Sequence, residues 1–173
     1  SAASDVYKRQ VHQLLSLART ETDITRSPLD VAALAREVAR EWTPRAVAAG
    51  VDLGYEGEDS LTIPGDKLLL REVLSNLIDN ALRYAGKGVN VTLRTEVRDG
   101  FCILEVEDNG PGLSTEHLER VFERFWRASE LPGGCGLGLS IVAEIAMRHR
   151  GTATARTTLP HGLTISLQLP LQG

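Results

Sequence analysis

The chain has 173 residues, 42% of them hydrophobic and 24% charged, and its formal net charge is −4. This predicts about one domain with a sizeable core, and the acidic balance argues against a general nucleic-acid binder, which favours a basic face. No apolar run approaches a membrane span, the start has no signal-peptide pattern, and Cys102 and Cys135 match no zinc or redox spacing. We therefore expect a reduced, cytoplasmic setting without contact to nucleic acid or membrane.

The N-terminal segment differs from the rest of the chain. Residues 1–10 are small and polar without a clear period, and they are excluded from fold reasoning. Apolar residues then recur at helical spacing between Val11 and Ala18, on a stripe with little partner surface within this chain. This pattern predicts the end of a longer helix, followed by a polar link. We expect a lead-in at residues 1–26 and one globular domain at residues 27–173.

The globular domain opens with one helix and two short strands. Asp30 suits the N-cap of a helix whose apolar stripe runs from Val31 to Trp42. Pro44 is expected to kink this helix or to end it. Strands are predicted at residues 51–53 and 61–63, on either side of a polar turn.

The remaining elements are helices separated by pairs of strands. Asp66 opens the strongest helix, which runs to about Tyr84 before two glycines stop it. Asp99-Gly100 separates two strand-like runs and is a strong hairpin signal. The other predicted elements are strands at 89–97 and 101–106, a short helix near 115–122 within a glycine-rich stretch from 108 to 138, a helix at 139–149, and strands at 152–158 and 163–169.

This order of elements predicts an α+β fold. Because the strands occur in pairs, the pattern favours a two-layer sandwich, with a mixed and mostly antiparallel sheet covered on one face by three helices. A doubly wound parallel sheet would need strict alternation of strand and helix, so the glycine-rich segments do not by themselves indicate a dinucleotide-binding fold.

The strongest helix carries polar residues on one face. Glu72, Asn76, Asn80 and Arg83 are spaced at i, i+4, i+8 and i+11, so all four lie opposite the apolar stripe. A solvated face is the ordinary interpretation of the charged residues, but asparagine is a poor helix former, and two of them one turn apart are less ordinary. An amide oxygen is a hard, neutral ligand that suits Mg²⁺. Asn76 and Asn80 are therefore candidate metal ligands.

Two glycine-rich segments are candidate binding loops. Asp108-Asn109-Gly110-Pro111-Gly112 follows an apolar strand and is either an ordinary turn or an aspartate beside backbone that a flat ligand can approach closely. A carboxylate there can accept a hydrogen bond from an exocyclic amine such as that of adenine. Gly133-Gly134-Cys135-Gly136-Leu137-Gly138 opens a helix, where backbone N–H groups favour phosphate, although it is not a P-loop.

Four motifs in sequence carry a resemblance to a known family. They are Asn76-Leu77-Ile78-Asp79-Asn80, Asp108-Asn109-Gly110-Pro111-Gly112, Phe122-Glu123-Arg124-Phe125 and Gly134-Cys135-Gly136-Leu137-Gly138. They closely resemble the N box, first glycine box, F box and second glycine box of the ATP-binding catalytic domain of bacterial sensor histidine kinases. The resemblance implies the Bergerat fold, with a mobile lid over the nucleotide. The wider superfamily includes ATPase domains of type II topoisomerases, mismatch-repair proteins and a heat-shock chaperone.

The resemblance also implies roles for single residues. Asn80, assisted by Asn76, would ligate the Mg²⁺ that bridges the phosphates of ATP, so that both serve catalysis. Asp108 would bind the adenine amino group. The other implied cofactor contacts are Gly110 and Gly112 at the adenine pocket, Arg83, Tyr84, Lys87 and Arg127 near the phosphates, and Gly134, Gly136, Leu137 and Gly138 at the end of the lid.

Asn76 favours a kinase over a hydrolase. The hydrolases of the superfamily carry a glutamate one turn before the metal-binding asparagine, where it activates water as a general base. An amide cannot accept that proton, and Glu72 lies a further turn away, about 6 Å along the helix axis. The sequence therefore predicts a site that binds ATP and Mg²⁺ but hydrolyses ATP poorly.

The resemblance further implies partners outside this chain. No histidine here is followed by the acidic residue and tail of the family's phosphoacceptor motif, so we expect the acceptor on a dimerisation domain, with residues 1–26 holding the stub of its second helix. A response regulator would receive the phosphoryl group, and the parent protein is expected in the inner membrane with this domain on the cytoplasmic side. The alternatives are an ATPase clamp, a serine kinase of the anti-sigma-factor type and a non-catalytic nucleotide-binding module.

Overall fold

The computed structural model describes residues 24–127 and 138–172, and within them the chain forms four helices and seven strands. The helices are α1 (Val31–Ala48), α2 (Lys67–Tyr84), α3 (Thr115–Leu118) and α4 (Gly138–Arg148). The strands are β1 (Ser27–Asp30), β2 (Asp52–Gly57), β3 (Thr62–Gly65), β4 (Asn90–Arg98), β5 (Phe101–Asp108), β6 (Thr152–Thr157) and β7 (Leu163–Pro170).

Five of the strands form one mixed sheet in the order β2-β4-β5-β7-β6. The β2–β4 pair is parallel, and the other three neighbouring pairs are antiparallel. Strands β1 and β3 form a separate antiparallel pair. The expected mixed, mostly antiparallel sheet is confirmed.

The long helices α1, α2 and α4 pack on one face of this sheet and enclose the core. Because side chains alternate along a strand, Val91 and Leu93 of β4 and Leu104 and Val106 of β5 share the face that the helices bury. The other face carries polar and charged side chains, including Glu105. This two-layer arrangement is the predicted one.

Aspartate caps determine where the two longest helices begin. The Ala33 N–H donates to Asp30 Oδ1 and the Leu69 N–H donates to Asp66 Oδ1, both at 3.1 Å. Asp30 also accepts a hydrogen bond from the Leu61 N–H, and this bond lowers the pKa of the Asp30 carboxyl. Both caps confirm the sequence prediction.

The beginning of the domain differs from the prediction. α1 continues through Pro44 and ends only at Ala48, so Pro44 does not terminate it. The two strands predicted after it lie in different sheets, since β2 joins β4 in parallel while β3 pairs with β1. β1, at Ser27–Asp30, was not predicted, because its partner β3 lies far along the chain.

Within the described ranges no helix has the length and apolarity needed to cross a membrane. The helix expected between Val11 and Ala18 lies outside the described residues, as does most of the segment expected to form the lid.

Candidate functional site

The polar face of α2 holds the two asparagines that the sequence singled out. Asn76 is 6% exposed, and its Nδ2 donates to Oε1 of Glu72 at 3.3 Å. Because the amide nitrogen and oxygen are on opposite sides of the group, this bond directs Oδ1, the atom able to ligate a metal, away from Glu72. Asn80 is half-buried one turn later. Both predicted amide ligands therefore lie on one side of α2.

The residues after Asn80 have different surroundings. Arg83 Nε forms an ion pair with Asp79 Oδ2 at 3.0 Å, one turn back on the same helix. Tyr84 is the last residue of α2 and is half-buried. Lys87 is exposed in the following turn, where its stem lies close to Gly50: a Cβ on Gly50 would approach Lys87 Cγ to 2.7 Å. The structure thus groups the three predicted phosphate contacts at the C-terminal end of α2.

Asp108, the last residue of β5, is the buried carboxylate of the site. It is 7% exposed, and its Oδ1 accepts hydrogen bonds from the Gly110 N–H at 2.9 Å and the Leu163 N–H at 3.3 Å. Burial raises the pKa of Asp108, while these two hydrogen bonds oppose the rise. Among the described residues no donor engages Oδ2. That oxygen is therefore an acceptor available to a ligand.

The loop after β5 packs against the end of α2. A Cβ on Gly110 would lie 2.7 Å from the carbonyl oxygen of Ala85, so the approach requires glycine. Asn109 Oδ1 accepts a hydrogen bond from the Asn90 N–H at 2.7 Å, which ties the loop to the start of β4. The first glycine motif therefore adjoins the C-terminal end of the helix that carries the two asparagines.

The turn between β6 and β7 packs against the same loop, although no sequence motif indicated a role for this turn. A Cβ on Gly112 would lie 2.7 Å from the Gly162 carbonyl oxygen, and a Cβ on Gly162 would lie 1.9 Å from the Asp108 carbonyl oxygen. Between these contacts, His161 Nδ1 lies 2.9 Å from the Gly110 carbonyl oxygen. The Pro-His-Gly sequence predicts a bend here, but no nearby residue indicates that this bend packs against the loop after β5.

The segment that follows α3 contributes aromatic side chains. Phe122 and Trp126 pack against the core, and the Trp126 ring meets His117 edge to face at 5.3 Å between centroids. Phe125 is 65% exposed and has a φ of 67°. Arg127, a predicted phosphate contact, is half-buried at the end of this described range.

The second glycine motif is described only at its last residue. Gly138 begins α4, whereas Gly134, Gly136 and Leu137 lie outside the described residues. Their expected contacts with phosphate stay predictions.

The residues of the site suit a metal ion that takes only a few ligands from the protein. In the described ranges, no cluster of three or more His, Cys, Asp or Glu residues could hold a metal ion. Two amide oxygens one turn apart suit Mg²⁺, which takes few protein ligands and keeps water and phosphate oxygens. Together with the acceptor on Asp108, this chemistry suits a ligand that carries an amine on a flat ring and phosphates that bind Mg²⁺.

Comparison with known proteins gives a matching family and named relatives. A family model described as "Histidine kinase-, DNA gyrase B-, and HSP90-like ATPase" matches residues 65–173. The signal transduction histidine-protein kinase BaeS of Escherichia coli K12 is 31% identical over 166 residues, which cover 94% of this chain and 36% of BaeS. The chain spans about a third of the length of the curated relatives it matches.

Two solved structures share the fold over nearly the whole chain. Full-length ShkA in complex with AMPPNP is 28% identical with a TM-score of 0.83, and the match covers 97% of this chain and 36% of ShkA. ThkA in complex with the response regulator protein TrrA matches with a TM-score of 0.80 over 98% of this chain and 48% of that chain. At 21% identity the ThkA match supports the fold alone. The predicted fold is confirmed.

Proposed function

This chain belongs to the family of histidine kinase-, DNA gyrase B- and HSP90-like ATPases, and from that premise we propose that it is the ATP-binding catalytic domain of a sensor histidine kinase. The observation that carries the proposal is the packing of the Asp108 loop against the end of α2. A carboxylate with one acceptor oxygen available thereby adjoins the helix that bears Asn76 and Asn80. Binding of an adenine nucleotide with its metal ion requires both features in one place.

Asp108 selects the base in this proposal. Its Oδ2 accepts a hydrogen bond from the 6-amino group of adenine, whereas the oxygen of guanine at that position offers no donor. The backbone at Gly110 and Gly112 lets a flat ring approach closely. The AMPPNP bound to ShkA supports an adenine nucleotide as the ligand.

Asn80, with Asn76 beside it, would hold Mg²⁺. When bound, the ion would neutralise negative charge on the phosphates, which is the main requirement of phosphoryl transfer. The hydrogen bond from Asn76 Nδ2 to Glu72 supports this assignment, because it turns the amide nitrogen, which cannot ligate a metal, toward Glu72. The metal would therefore be shared between amide oxygens, phosphate and water.

The phosphate contacts are proposed at both ends of the site. Tyr84, Lys87 and Arg127 would contribute side chains, and Gly134, Gly136, Leu137 and Gly138 would contribute the second glycine motif. Arg83 would have to exchange its Asp79 partner to reach phosphate, since the two side chains are paired along α2.

The proposed acceptor of the phosphoryl group is a protein histidine rather than water. The amide of Asn76 stands where the hydrolases of the superfamily carry their general base, and it cannot take a proton. The three described histidines each contact other parts of this domain. We therefore assign the acceptor to a separate dimerisation domain and the next step to a response regulator.

The domain organisation follows from the same proposal. Residues 1–26 would contain the lead-in and the stub of the second dimerisation helix, and residues 27–173 would form the catalytic domain. The parent protein would be anchored in the inner membrane with this domain on the cytoplasmic side, as the resemblance to bacterial sensor histidine kinases implies.

Loss of one metal ligand tests the site. Asn80→Ala should weaken Mg²⁺-ATP binding at least tenfold, about 1.4 kcal/mol, and should leave ATP binding in EDTA as in the wild type. Isothermal titration calorimetry measures both, with Ser75→Ala on the same helix as the control. Equal affinity of the variant and the wild type in Mg²⁺ would remove the metal assignment. A wild type that binds no ATP in either condition would reject the proposed function.

Transfer is tested with labelled ATP. Alone, the chain should release little phosphate and stay unlabelled, because the acceptor is absent. Addition of a dimerisation domain with its histidine should give an acid-labile label on that domain. Rapid ATP hydrolysis would favour an ATPase clamp, and an acid-stable label on an added small protein would favour a serine kinase.

A further inference from the structure

A closed ring of hydrogen bonds surrounds the carboxylate proposed to select the base. Asp108 Oδ1 accepts from the Gly110 N–H at 2.9 Å and from the Leu163 N–H at 3.3 Å. The carbonyl oxygen of the same Gly110 lies 2.9 Å from Nδ1 of His161. His161 leads through Gly162 back to Leu163, so the chain itself completes the ring.

The direction of the His161 hydrogen bond follows from its partner. A carbonyl oxygen can only accept, so Nδ1 carries the proton and donates it to Gly110. A charged imidazole also carries a proton on Nδ1, so the bond does not depend on the charge of the ring. His161 therefore ties the turn between β6 and β7 to a residue 51 positions away.

The turn itself has little freedom to move. Gly162 has a φ of 130°, and a Cβ there would lie 1.9 Å from the Asp108 carbonyl oxygen. The Thr158 N–H donates to the Gly162 carbonyl oxygen at 3.0 Å and closes the turn. The main chain of the turn is thus held against the backbone of Asp108, while the side chain of His161 reaches the next loop.

We propose that His161 is a positioning residue that determines base selectivity at this site. By holding the Gly110 carbonyl, it keeps the Gly110 N–H on Asp108 Oδ1 and so keeps Oδ2 directed to the ligand. Without that bond the loop after β5 can shift, and the carboxylate loses its fixed direction. The inference rests on the proposed nucleotide site and adds a selectivity residue that none of its motifs contains.

Nucleotide affinities of His161 variants test the inference. His161→Ala should weaken ATP binding about three- to tenfold, the effect of one hydrogen bond, and should lower the ratio of ATP to GTP affinity by a similar factor. His161→Asn should restore most of both, because its Nδ2 can donate from the place of Nδ1. Leu159→Ala is the control, since this side chain is exposed in the same turn outside the ring. Calorimetry gives the affinities, and thermal unfolding reports the fold.

The outcomes separate the inference from the proposed function. A His161→Ala variant that unfolds at a lower temperature but keeps the wild-type ratio of ATP to GTP affinity would make His161 merely structural. An asparagine variant no better than alanine would also overturn the inference. If the alanine variant does not fold, His161→Gln takes its place, because its amide nitrogen corresponds to Nε2 and does not replace the bond. A wild type that binds neither nucleotide rejects the proposed function and the inference together.

Discussion

Two carboxylates of β5 lie three residues apart on opposite faces of the sheet, and they are buried in different ways. Glu105, on the face away from the helices, is 0% exposed and is paired through its two oxygens with Arg98 at 2.9 Å and Arg156 at 2.7 Å. Asp108, on the helix face, is held by two backbone N–H groups on one oxygen only. No described cation forms a salt bridge with Asp108.

The difference separates a structural carboxylate from one available to a ligand. Glu105 has both oxygens engaged by side chains of two other strands of the sheet, Arg98 of β4 and Arg156 of β6, so its interactions are complete within the domain. Asp108 keeps an acceptor oxygen, and burial without a cation raises its pKa. Buried charge that a fold leaves without a counter-ion is more often found at a functional site than in a purely structural network.

The largest expected effect comes from Asp108→Asn, which alters the ligand contact without changing shape. ATP affinity should fall about hundredfold, about 2.7 kcal/mol, because an amide nitrogen at the place of Oδ2 faces the adenine amine with a second donor. The ratio of GTP to ATP affinity should rise, since the amide can donate to guanine. Calorimetry with both nucleotides checks this, and unchanged ATP affinity would place the adenine contact elsewhere.

Stability should move the other way in the same variant. The pKa of Asp108 in the folded chain is raised above its ordinary value of 3.8, so the stability that the protonated form contributes is lost as pH rises above that value. At pH 7 the amide variant should therefore unfold at a higher denaturant concentration than the wild type, and the difference should vanish below pH 3.8. A less stable variant at pH 7 would show that the carboxylate is structural, like Glu105.

The next effect comes from Glu105→Gln, the same change three residues earlier. The amide nitrogen of the variant and the guanidinium that it faces are both hydrogen-bond donors, so one hydrogen bond is lost. The free energy of unfolding should therefore fall by about 1–2 kcal/mol, while ATP affinity stays unchanged. Glu107→Gln is the matched control, because Glu107 is only partly buried and meets Arg94 at 3.4 Å. A loss of ATP affinity in the Glu105 variant would remove the distinction between the two carboxylates.

The smallest effect concerns a third buried titratable group, His149. Its Nδ1 donates to the Ile145 carbonyl oxygen at 2.8 Å and its Nε2 accepts from the Asp66 N–H at 3.0 Å, so the fold needs the neutral ring. Burial lowers the pKa of His149 below 6.5. The positive charge of Arg26 also lowers this pKa, whereas the negative charge of Asp66 raises it. This stability is present above pH 6.5 and is lost as pH falls below it.

Chemical denaturation from pH 8 to pH 5 measures this loss. His149→Gln should unfold with a shallower pH dependence, because its side-chain oxygen can accept from the Asp66 N–H without titrating. Equal pH dependence in the wild type and the variant would assign the loss to other groups. In either case His149 resembles Glu105 rather than Asp108, since its bonds are complete within the fold.

The sequence predicted the elements whose signals are local. The Asp66 cap and the end of α2 near Tyr84 follow from residues within a few positions, and the Asp99-Gly100 hairpin follows from two residues with positive φ, at 53° and 82°. It also identified Asp108 and the two asparagines as candidate ligand contacts. The asparagines are one helical turn apart and Asp108 stands at the end of a strand, and both positions can be recognised without knowing what packs against them. It did not predict that the strands after α1 would lie in different sheets, because strand pairing depends on residues far along the chain.

The amino-acid sequence by itself determined the caps, the helix faces, the hairpin and the four motifs, since each depends on the spacing of neighbouring residues. Tertiary structure alone decided that Glu105 would pair with two arginines while Asp108 accepts hydrogen bonds from backbone N–H groups. It also decided that His161 would reach the loop after β5. Those outcomes depend on which strands and turns meet in space. A carboxylate becomes structural or available to a ligand according to what the rest of the chain places beside it.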